Sequence, residues 1–251
     1  MSKEERLLAV SIGNTNASFG CFDGEELVGT ACFPVRGALA ELAWRAPDAV
    51  VIGSVNPKAT SGIRKALRKG YGIRPVEVGR DLDVPMRNRC RFPGKVGVDR
   101  LLNVLAAGRL VSCPAIVADL GTAITIDALS ARGDFLGGAI LPGASLWAAS
   151  LHEYTAQLPR VELTRPHQII GKYTDEAIRS GVYWGIYGAI IEIVGRMRKR
   201  LRAPAQLVVT GGDAALFSRH LPEGHVFRPD LTLQGLRIAW SAWREEAKRG
   251  A

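Results

Sequence analysis

Two glycine-containing turns in the sequence have the composition needed to bind phosphate groups. One is Gly13-Asn14-Thr15 and the other is Gly121-Thr122, and each follows an apolar stretch typical of a strand. A tight turn between strands presents several backbone N–H groups, and glycine lets the backbone approach a ligand closely or adopt a positive φ. Either turn alone is equally compatible with an ordinary hairpin, but the repeated placement favours phosphate binding. We therefore predict that the two turns bind the phosphates of a nucleotide and support phosphoryl transfer.

Polar side chains accompany both turns. Asn14, Thr15, Thr122 and Thr125 add hydrogen-bond donors, and Asp119 lies at the end of the strand that precedes the second turn. A carboxylate in this position can hold a cation or its hydration shell beside a nucleotide. Asp119 is therefore the predicted metal-site residue.

A third glycine motif, Gly211-Gly212, follows another buried apolar stretch and precedes Asp213-Ala214-Ala215. Two glycines here would let a helix begin close to a bound base or ribose, which predicts contact with adenosine. A glycine cap or a tight connection between strand and helix explains the motif equally well.

An adjacent acid and cation occur in Gly97-Val98-Asp99-Arg100. An acid in the first turn of a helix is favoured by helix electrostatics alone. In a cleft between two domains, however, Asp99 can accept the proton of a substrate hydroxyl and Arg100 can grip a carboxylate through paired N–H donors. Both roles are required for the phosphorylation of an acidic alcohol.

The chain repeats one arrangement of elements. In each half an apolar strand is followed by a glycine turn, and two more strands with a glycine-containing reversal come after it. A helix, a fully apolar strand, a second helix and a short final strand then complete the half. The predicted helices and later strands cover 38–46, 49–54 and 74–78 in the first half, and 144–158, 206–212 and 226–228 in the second.

Two βββαβαβ halves in tandem form the pattern of the actin-like ATPases and sugar kinases. The predicted fold class is therefore α/β, with duplicated halves of the actin-like (ribonuclease H-like) fold and an interdomain cleft. A helix over 96–110 is expected to bridge the halves and Pro114 discourages its continuation, so the predicted domains are 1–112 and 113–251. The first carries one phosphate turn and the substrate motif, and the second carries the other phosphate turn and the adenosine motif. We expect the last helix, 233–248, to pack on the second half through its apolar face.

Composition narrows the class of protein. The 251 residues are 47% hydrophobic and 23% charged, with a net charge of +9, as in globular proteins that handle anionic small molecules. No apolar run reaches the length of a membrane span and the N-terminus does not resemble a signal peptide, so we expect a cytoplasmic protein without a membrane partner.

The basic cluster 196–202 is interpreted as a solvated helix end rather than a nucleic-acid site. The cysteines and histidines lack metal-binding spacing.

Eight motifs, taken in order, resemble those of the type III pantothenate kinases, which belong to the actin-like and sugar-kinase superfamily. The resemblance covers nearly the whole chain, and the order and spacing of the motifs make it specific although each is weak alone. The motifs are Gly13-Asn14-Thr15, Gly53-Ser54-Val55-Asn56-Pro57, Val96-Gly97-Val98-Asp99-Arg100, Asp119-Leu120-Gly121-Thr122-Ala123-Ile124-Thr125, Gly137-Gly138-Ala139-Ile140-Leu141-Pro142-Gly143, Thr155-Ala156-Gln157-Leu158-Pro159, Gly171-Lys172-Tyr173-Thr174 and Thr210-Gly211-Gly212-Asp213-Ala214.

The resemblance implies ATP-dependent phosphorylation of pantothenate to 4'-phosphopantothenate, the first step of coenzyme A synthesis. It also implies a cytoplasmic homodimer that uses Mg2+ and a monovalent cation, K+ or NH4+. Asp99 would be the catalytic base and Asp119 would lie at the monovalent-cation site. The implied substrate-binding residues are Gly97, Val98, Asp99, Arg100 and Thr174. The implied ATP-binding residues are Ser11, Ile12, Gly13, Asn14, Thr15, Asn16, Ala17, Ser18 and Thr122, to which the adenosine interpretation adds Gly211 and Gly212.

Two positions depart from the family pattern. The family has an aspartate where this chain has Ser11, and a hydroxyl is a weaker ligand for Mg2+ than a carboxylate. Upstream of the substrate motif, Cys90-Arg91-Phe92-Pro93 replaces a segment that carries an aromatic residue and an Asn or Asp before the proline. The leading hypothesis is a kinase slowed by Ser11. The alternatives are a non-catalytic nucleotide-binding relative with a regulatory role, another small-molecule kinase or phosphatase of the superfamily, and a nucleic-acid-linked regulator.

Overall fold

The structure of the protein is a computed structural model that describes residues 5–35 and 46–250. Residues 38–45 of the predicted helix 38–46 lie outside the described residues. The described elements are β1 (Arg6–Ile12), β2 (Asn16–Asp23), β3 (Glu26–Pro34), β4 (Ala49–Ser54), α1 (Pro57–Tyr71), β5 (Val76–Glu77), a 3-10 turn (Pro93–Lys95), α2 (Val98–Leu110), β6 (Ala115–Leu120), β7 (Ala123–Leu129), β8 (Phe135–Pro142), α3 (Ala144–Glu153), α4 (Thr174–Leu201), β9 (Gln206–Thr210), α5 (Ala214–Phe217), β10 (Val226–Phe227) and α6 (Leu231–Arg249).

Two five-stranded sheets have the same topology. The first has the order β3-β2-β1-β4-β5, and the second, read in the matching direction, has the order β8-β7-β6-β9-β10. In each sheet the first three strands of the chain are antiparallel neighbours, and the later two run parallel to the first strand. The predicted duplication of the three-stranded meander and its parallel additions is therefore confirmed.

The chain divides into two compact units. The first contains the described residues up to Arg87 together with Arg91–Arg109 and the C-terminal residues from Asp230, and the second contains Asn88–Cys90 and Leu110–Pro229. Residues 230–250, which lie in the predicted second domain, thus belong to the first unit. The change of unit at Arg109 lies close to the predicted boundary after residue 112.

The first unit has a helix layer on each face of its sheet. Ile63 and Leu67 of α1 pack on Leu8, Val10 and Ile52. On the opposite face, residues of α2 and α6 join strand residues in a second core, which contains Leu7, Ala9, Val51, Leu102, Leu105, Leu233, Leu236, Ala239 and Trp240.

The prediction that α6 packs on the second half is wrong, because α6 contacts β1, β2 and β4. An amphipathic pattern identifies the face of a helix that is buried, but it does not identify the sheet that buries it. Gly235 allows a close crossing of α6 and α2, since a Cβ at this position would lie 2.9 Å from Leu102 Cβ.

The core of the second unit lies between its sheet and the long helix α4. Val182, Ile186, Ile190 and Val194 of α4 are buried against strand residues such as Ile116. Such burial follows from apolar residues that recur every three or four positions. Among the described residues, no helix combines the length and the apolar character that crossing a bilayer requires.

Several element ends differ from the sequence predictions. The helix predicted over 96–110 begins at Val98, because a 3-10 turn at Pro93–Lys95 comes before it. The helix predicted over 144–158 ends at Glu153. The strand predicted over 74–78 is only Val76–Glu77.

Candidate functional site

The first glycine turn joins β1 to β2. Ser11 pairs with Ser18 and Ile12 pairs with Ala17, so the structure brings the predicted ATP-binding residues 11–18 into one hairpin. The Gly13 N–H donates to the carbonyl of Asn16 at 2.9 Å and closes the turn. Asn14, Thr15 and Asn16 are exposed, so the tip of the hairpin is accessible to a ligand.

The junction between β4 and α1 supports this hairpin. The Val55 N–H donates to the Ile12 carbonyl at 3.1 Å, and Asn56 Nδ2 donates to the Gly13 carbonyl at 3.4 Å. Asn56 also caps α1, because its Oδ1 accepts the Ala59 N–H at 3.1 Å. The pairing of an N-cap asparagine with Pro57 at the first helical position is a helix-start signal that can be read from the sequence.

The second glycine turn joins β6 to β7 and is shorter than the first. Leu120 pairs with Ile124, and the Gly121 N–H donates to the carbonyl of Ala123 at 3.3 Å. Gly143 packs against this turn, since its N–H donates to the Thr122 carbonyl at 3.0 Å. A Cβ on Gly143 would overlap the carbonyl oxygens of Gly121 and Thr122, so only glycine permits this approach.

Asp119 lies at the end of β6, where it is half-buried. It pairs with Thr125 on β7 and with Thr210 on β9, and residues that pair directly across strands project to the same face of a sheet. One carboxylate and two hydroxyls therefore share this face at the carboxyl end of β6 and β9. Such oxygen donors are the ligands that hard cations prefer.

The two glycines of the adenosine motif differ in their surroundings. Gly211 has a φ of +98° and a Cβ there would lie 2.6 Å from Asp119 Oδ1, so Gly211 is required on both conformational and steric grounds. Gly212 is exposed and a Cβ there would contact nothing within 4 Å. The structure thus brings Gly211 against Asp119, whereas Gly212 is open to solvent.

Asp213 is a residue of this region that the sequence interpretation did not assign a role. Its N–H donates to the Leu120 carbonyl at 2.8 Å, which fixes the start of α5 next to the second turn. Burial raises the pKa of the Asp213 carboxyl above its ordinary value. An acid directly after two glycines was a visible signal, but its partial burial could not be read from the sequence.

The substrate motif Gly97–Arg100 spans the start of α2, and all four of its residues are half-buried. Asp99 Oδ1 accepts the Arg100 N–H at 2.8 Å. A Cβ on Gly97 would lie 2.6 Å from the same oxygen and 3.6 Å from Val55 Cγ1. The Asp99 carboxylate is therefore held over Gly97 in the first turn of α2.

The unusual segment before the substrate motif contains an exposed aromatic ring. Phe92 is 58% exposed, and the cationic groups of Arg91 and Lys95 lie 5.4 Å and 5.3 Å from its ring centroid. These distances are typical of cation–π contacts. The departure from the family pattern therefore places two cations around an aromatic ring.

Thr174 is the first residue of α4 and lies in the second unit. It lines a mainly apolar cavity of about 430 Å3 together with Trp147, Leu151 and Ile178. The loop before it is held by Glu176, whose Oε2 accepts the Lys172 N–H at 2.8 Å. Glu176 was not singled out in the sequence, although an acid in the first turn is a known signal of a helix start.

Known proteins resemble this chain over most of its length. The family model described as type III pantothenate kinase matches residues 7–196. A type III pantothenate kinase from Dehalococcoides mccartyi is 36% identical, and the match covers 94% of this chain and 97% of that protein.

Two solved structures show the same fold. A protein described as a Baf family transcriptional activator from Campylobacter jejuni is 21% identical with a TM-score of 0.63, over 95% of this chain and 99% of that one. An archaeal actin homologue is 14% identical with a TM-score of 0.51, over 96% of this chain and 99% of that one. The predicted actin-like fold and the predicted family resemblance are therefore both confirmed, and the chain belongs to the type III pantothenate kinase family.

Proposed function

We propose that this protein transfers the γ-phosphoryl group of ATP to pantothenate, forming 4'-phosphopantothenate and ADP in the first step of coenzyme A synthesis. The observation that carries the proposal is the Asp99 carboxylate, held over Gly97 at the start of α2 in a chain of this family. We further propose that the reaction takes place in the cytoplasm.

In the proposed reaction Asp99 accepts the proton of the primary hydroxyl of pantothenate. The hydroxyl oxygen forms a bond to the γ-phosphorus, the bond from that phosphorus to the β–γ bridging oxygen breaks, and ADP leaves. Arg100 is suited to pair with the carboxylate of pantothenate, because a guanidinium offers two parallel N–H donors. Gly97 and Val98 would complete this part of the substrate site, and Thr174 would contribute a further substrate contact.

The backbone N–H groups of the two hairpins are the proposed donors to the phosphate oxygens of ATP, and Gly211 and Gly212 would lie beside the adenosine. The family implies a nucleotide with a divalent metal, and Mg2+ would neutralise charge that develops on the transferred phosphoryl group. Asp119, Thr125 and Thr210 form a donor set of oxygen atoms on one face of the second sheet, which fits a hard cation. We assign Asp119 to the monovalent-cation site, with K+ or NH4+ as the occupant.

A turnover assay tests this function. Purified protein is incubated with pantothenate, ATP and Mg2+, with K+, NH4+ or only Na+ present, and ADP and 4'-phosphopantothenate are quantified. We expect equal amounts of both products and higher rates with K+ or NH4+. Asp99→Asn is expected to lower kcat by about 1,000-fold, within the usual range for loss of a general base, while the affinity for ATP is retained. Full turnover by Asp99→Asn would contradict the proposed base.

The alternative proposal is a catalytically weak or inactive nucleotide-binding relative with a regulatory role. It is favoured by one specific observation, which is that Ser11 occupies the place of a family carboxylate at the end of β1. ATP binding without phosphorylation of pantothenate by the natural protein would support this alternative over the kinase.

We also propose that the protein is a homodimer. Residues 181–191 of α4 include no charged side chain, and the core of the second unit buries four of them, Val182, Tyr183, Ile186 and Ile190. Gly181 and Gly188 are exposed, and a Cβ added at either position would have no atom within 4 Å. This face of α4 therefore permits the close approach of another helix. Sedimentation equilibrium should give the mass of two chains.

A further inference from the structure

A small network of polar side chains lies where β4 runs into α1, directly behind the first hairpin. Thr60, on the first turn of α1, is 3% exposed, and its hydroxyl contacts Ser54 Oγ at 2.5 Å and the Asn56 carbonyl at 2.8 Å. Ser54 Oγ also accepts the Asn56 N–H at 3.0 Å. The network therefore ties the end of β4 to the start of α1.

Two members of this network reach the backbone of the hairpin. Ser54 Oγ donates to the Ile12 carbonyl and Asn56 Nδ2 donates to the Gly13 carbonyl, each at 3.4 Å. The hydroxyl of Thr60 does not touch the hairpin, but it orients both residues that do. Thr60 is buried and Ser54 and Asn56 are half-buried, and polar networks shielded from water specify one arrangement of the groups that they join.

The orientation of a carbonyl decides the orientation of the next N–H group. In a planar trans peptide the C=O of one residue and the N–H of the following residue point in opposite directions. Because Asn56 holds the Gly13 carbonyl toward α1, the N–H of Asn14 points away from α1. Asn14 lies at the exposed tip of the hairpin, where a backbone N–H is available to a phosphate oxygen.

We propose that Ser54, Asn56 and Thr60 are positioning residues that preorganise the first hairpin for the phosphates of ATP. This proposal rests on the proposed function, because it takes the hairpin to be a phosphate-binding turn. Preorganised donors bind a ligand more tightly because the cost of ordering them has been met during folding. Loss of the network should therefore weaken the binding of ATP more than the binding of pantothenate.

The test compares Thr60→Val with Thr60→Ser. Valine preserves the shape of threonine but lacks the hydroxyl, whereas serine keeps the hydroxyl. We expect Thr60→Val to raise both the Kd for ATP with Mg2+, measured by calorimetry, and the KM for ATP by about fivefold, the scale of one lost hydrogen bond. The KM for pantothenate should change less than about twofold, and Thr60→Ser should retain an ATP affinity close to that of the natural protein.

A second variant, Asn56→Ser, gives an independent measurement if the buried valine prevents folding. Serine is a good helix cap, but its short side chain cannot replace the amide donor to Gly13. We expect a rise in the Kd for ATP similar to that of Thr60→Val.

The control is Thr232→Val, which removes a hydroxyl that donates to Asn103 Oδ1 at 2.6 Å in the same unit. It should lower Tm without raising the Kd for ATP. An unchanged Kd in Thr60→Val, or an equal rise in the control, would overturn the positioning role while leaving the kinase proposal intact. If the natural protein does not bind ATP, both proposals fail.

Discussion

The two glycine hairpins have the same place in duplicated sheets but carry different chemistry. At the end of β6, Asp119 shares a sheet face with Thr125 and Thr210. The matching positions beside the first hairpin are Ser11, Ser18 and Gly53. Only the second set of these paired positions contains a carboxylate. We therefore infer that the proposed phosphate binding can rest on the shared backbone, whereas the proposed cation binding depends on individual side chains.

The hairpins are also supported in different ways. Side chains of Ser54 and Asn56 donate to carbonyls of the first hairpin. The second hairpin is supported by close packing of two glycines. A Cβ on Gly143 would overlap the turn residues Gly121 and Thr122, and a Cβ on Gly211 would overlap Leu120 and Asp119 of β6. Loss of one supporting hydrogen bond should therefore affect the first hairpin less than a methyl group added at Gly143 or Gly211 affects the second.

Among the changes that compare the two hairpins, the largest loss of turnover is expected in the second hairpin. Gly211→Ala would place a methyl group 2.6 Å from Asp119 Oδ1 on a residue with a φ of +98°. Strain of this kind costs roughly 1–3 kcal/mol, and displacement of Asp119 adds to it. We expect kcat/KM to fall by about 100-fold, measured by the same product assay.

Gly212→Ala is the matched control for this variant. It adds the same methyl group at the neighbouring position, where nothing lies within 4 Å. Its kcat/KM should stay much closer to that of the natural protein. Equal losses in the two variants would show that the contact between Gly211 and Asp119 does not matter.

A smaller effect, on thermal stability, is expected from a change at Asp213. The Asp213 N–H donates to the Leu120 carbonyl beside the second hairpin, as the Val55 N–H donates to the Ile12 carbonyl beside the first. Burial raises the pKa of Asp213 in the folded protein, so folding opposes ionisation of this carboxyl. The folded state is therefore relatively destabilised above the raised pKa, and this cost disappears as the pH falls below the pKa of the unfolded chain.

Asp213→Asn should consequently cause a small rise in Tm at pH 7 in the absence of nucleotide. The difference in Tm between the variant and the natural protein should shrink as the pH is lowered through the range between the two pKa values. Thermal unfolding at several pH values measures it, and a difference that does not vary with pH would contradict this explanation.

The sequence predicts the local features of the fold well. A single sequence is enough to recognise the glycine turns, the alternation within strands and the repeat of this pattern, because each strand and turn depends on residues that are close together in the chain. The sheet on which α6 packs could not be predicted from the sequence, because the apolar face of Leu236, Ala239 and Trp240 fits either sheet. The hydrogen-bond partners of Thr60 and Ser54 could not be predicted either. A threonine in a helix and a serine at the end of a strand are too common to indicate a hydrogen-bond network.

The residues of the site were predicted in the same uneven way. The motifs predict roles for Asp99, Asp119 and Gly211, and these roles stay predictions. The structure adds that Gly211 has a positive φ. The partial burial of Asp213 and the hydrogen bond from Lys172 to Glu176 were not predicted, because both depend on tertiary structure. The acid in the first turn of α4 was the only part of the Glu176 contact that the sequence pattern could indicate.

The most direct test of the difference between the hairpins is the kcat for pantothenate phosphorylation in the natural protein and in Ser11→Asp. We predict measurable formation of 4'-phosphopantothenate by the natural protein and about a tenfold higher kcat in the variant, because an added carboxylate would be a stronger ligand for a bound Mg2+ than the hydroxyl of Ser11. Absence of 4'-phosphopantothenate from both proteins, with ATP binding intact, would contradict the assignment of pantothenate kinase activity.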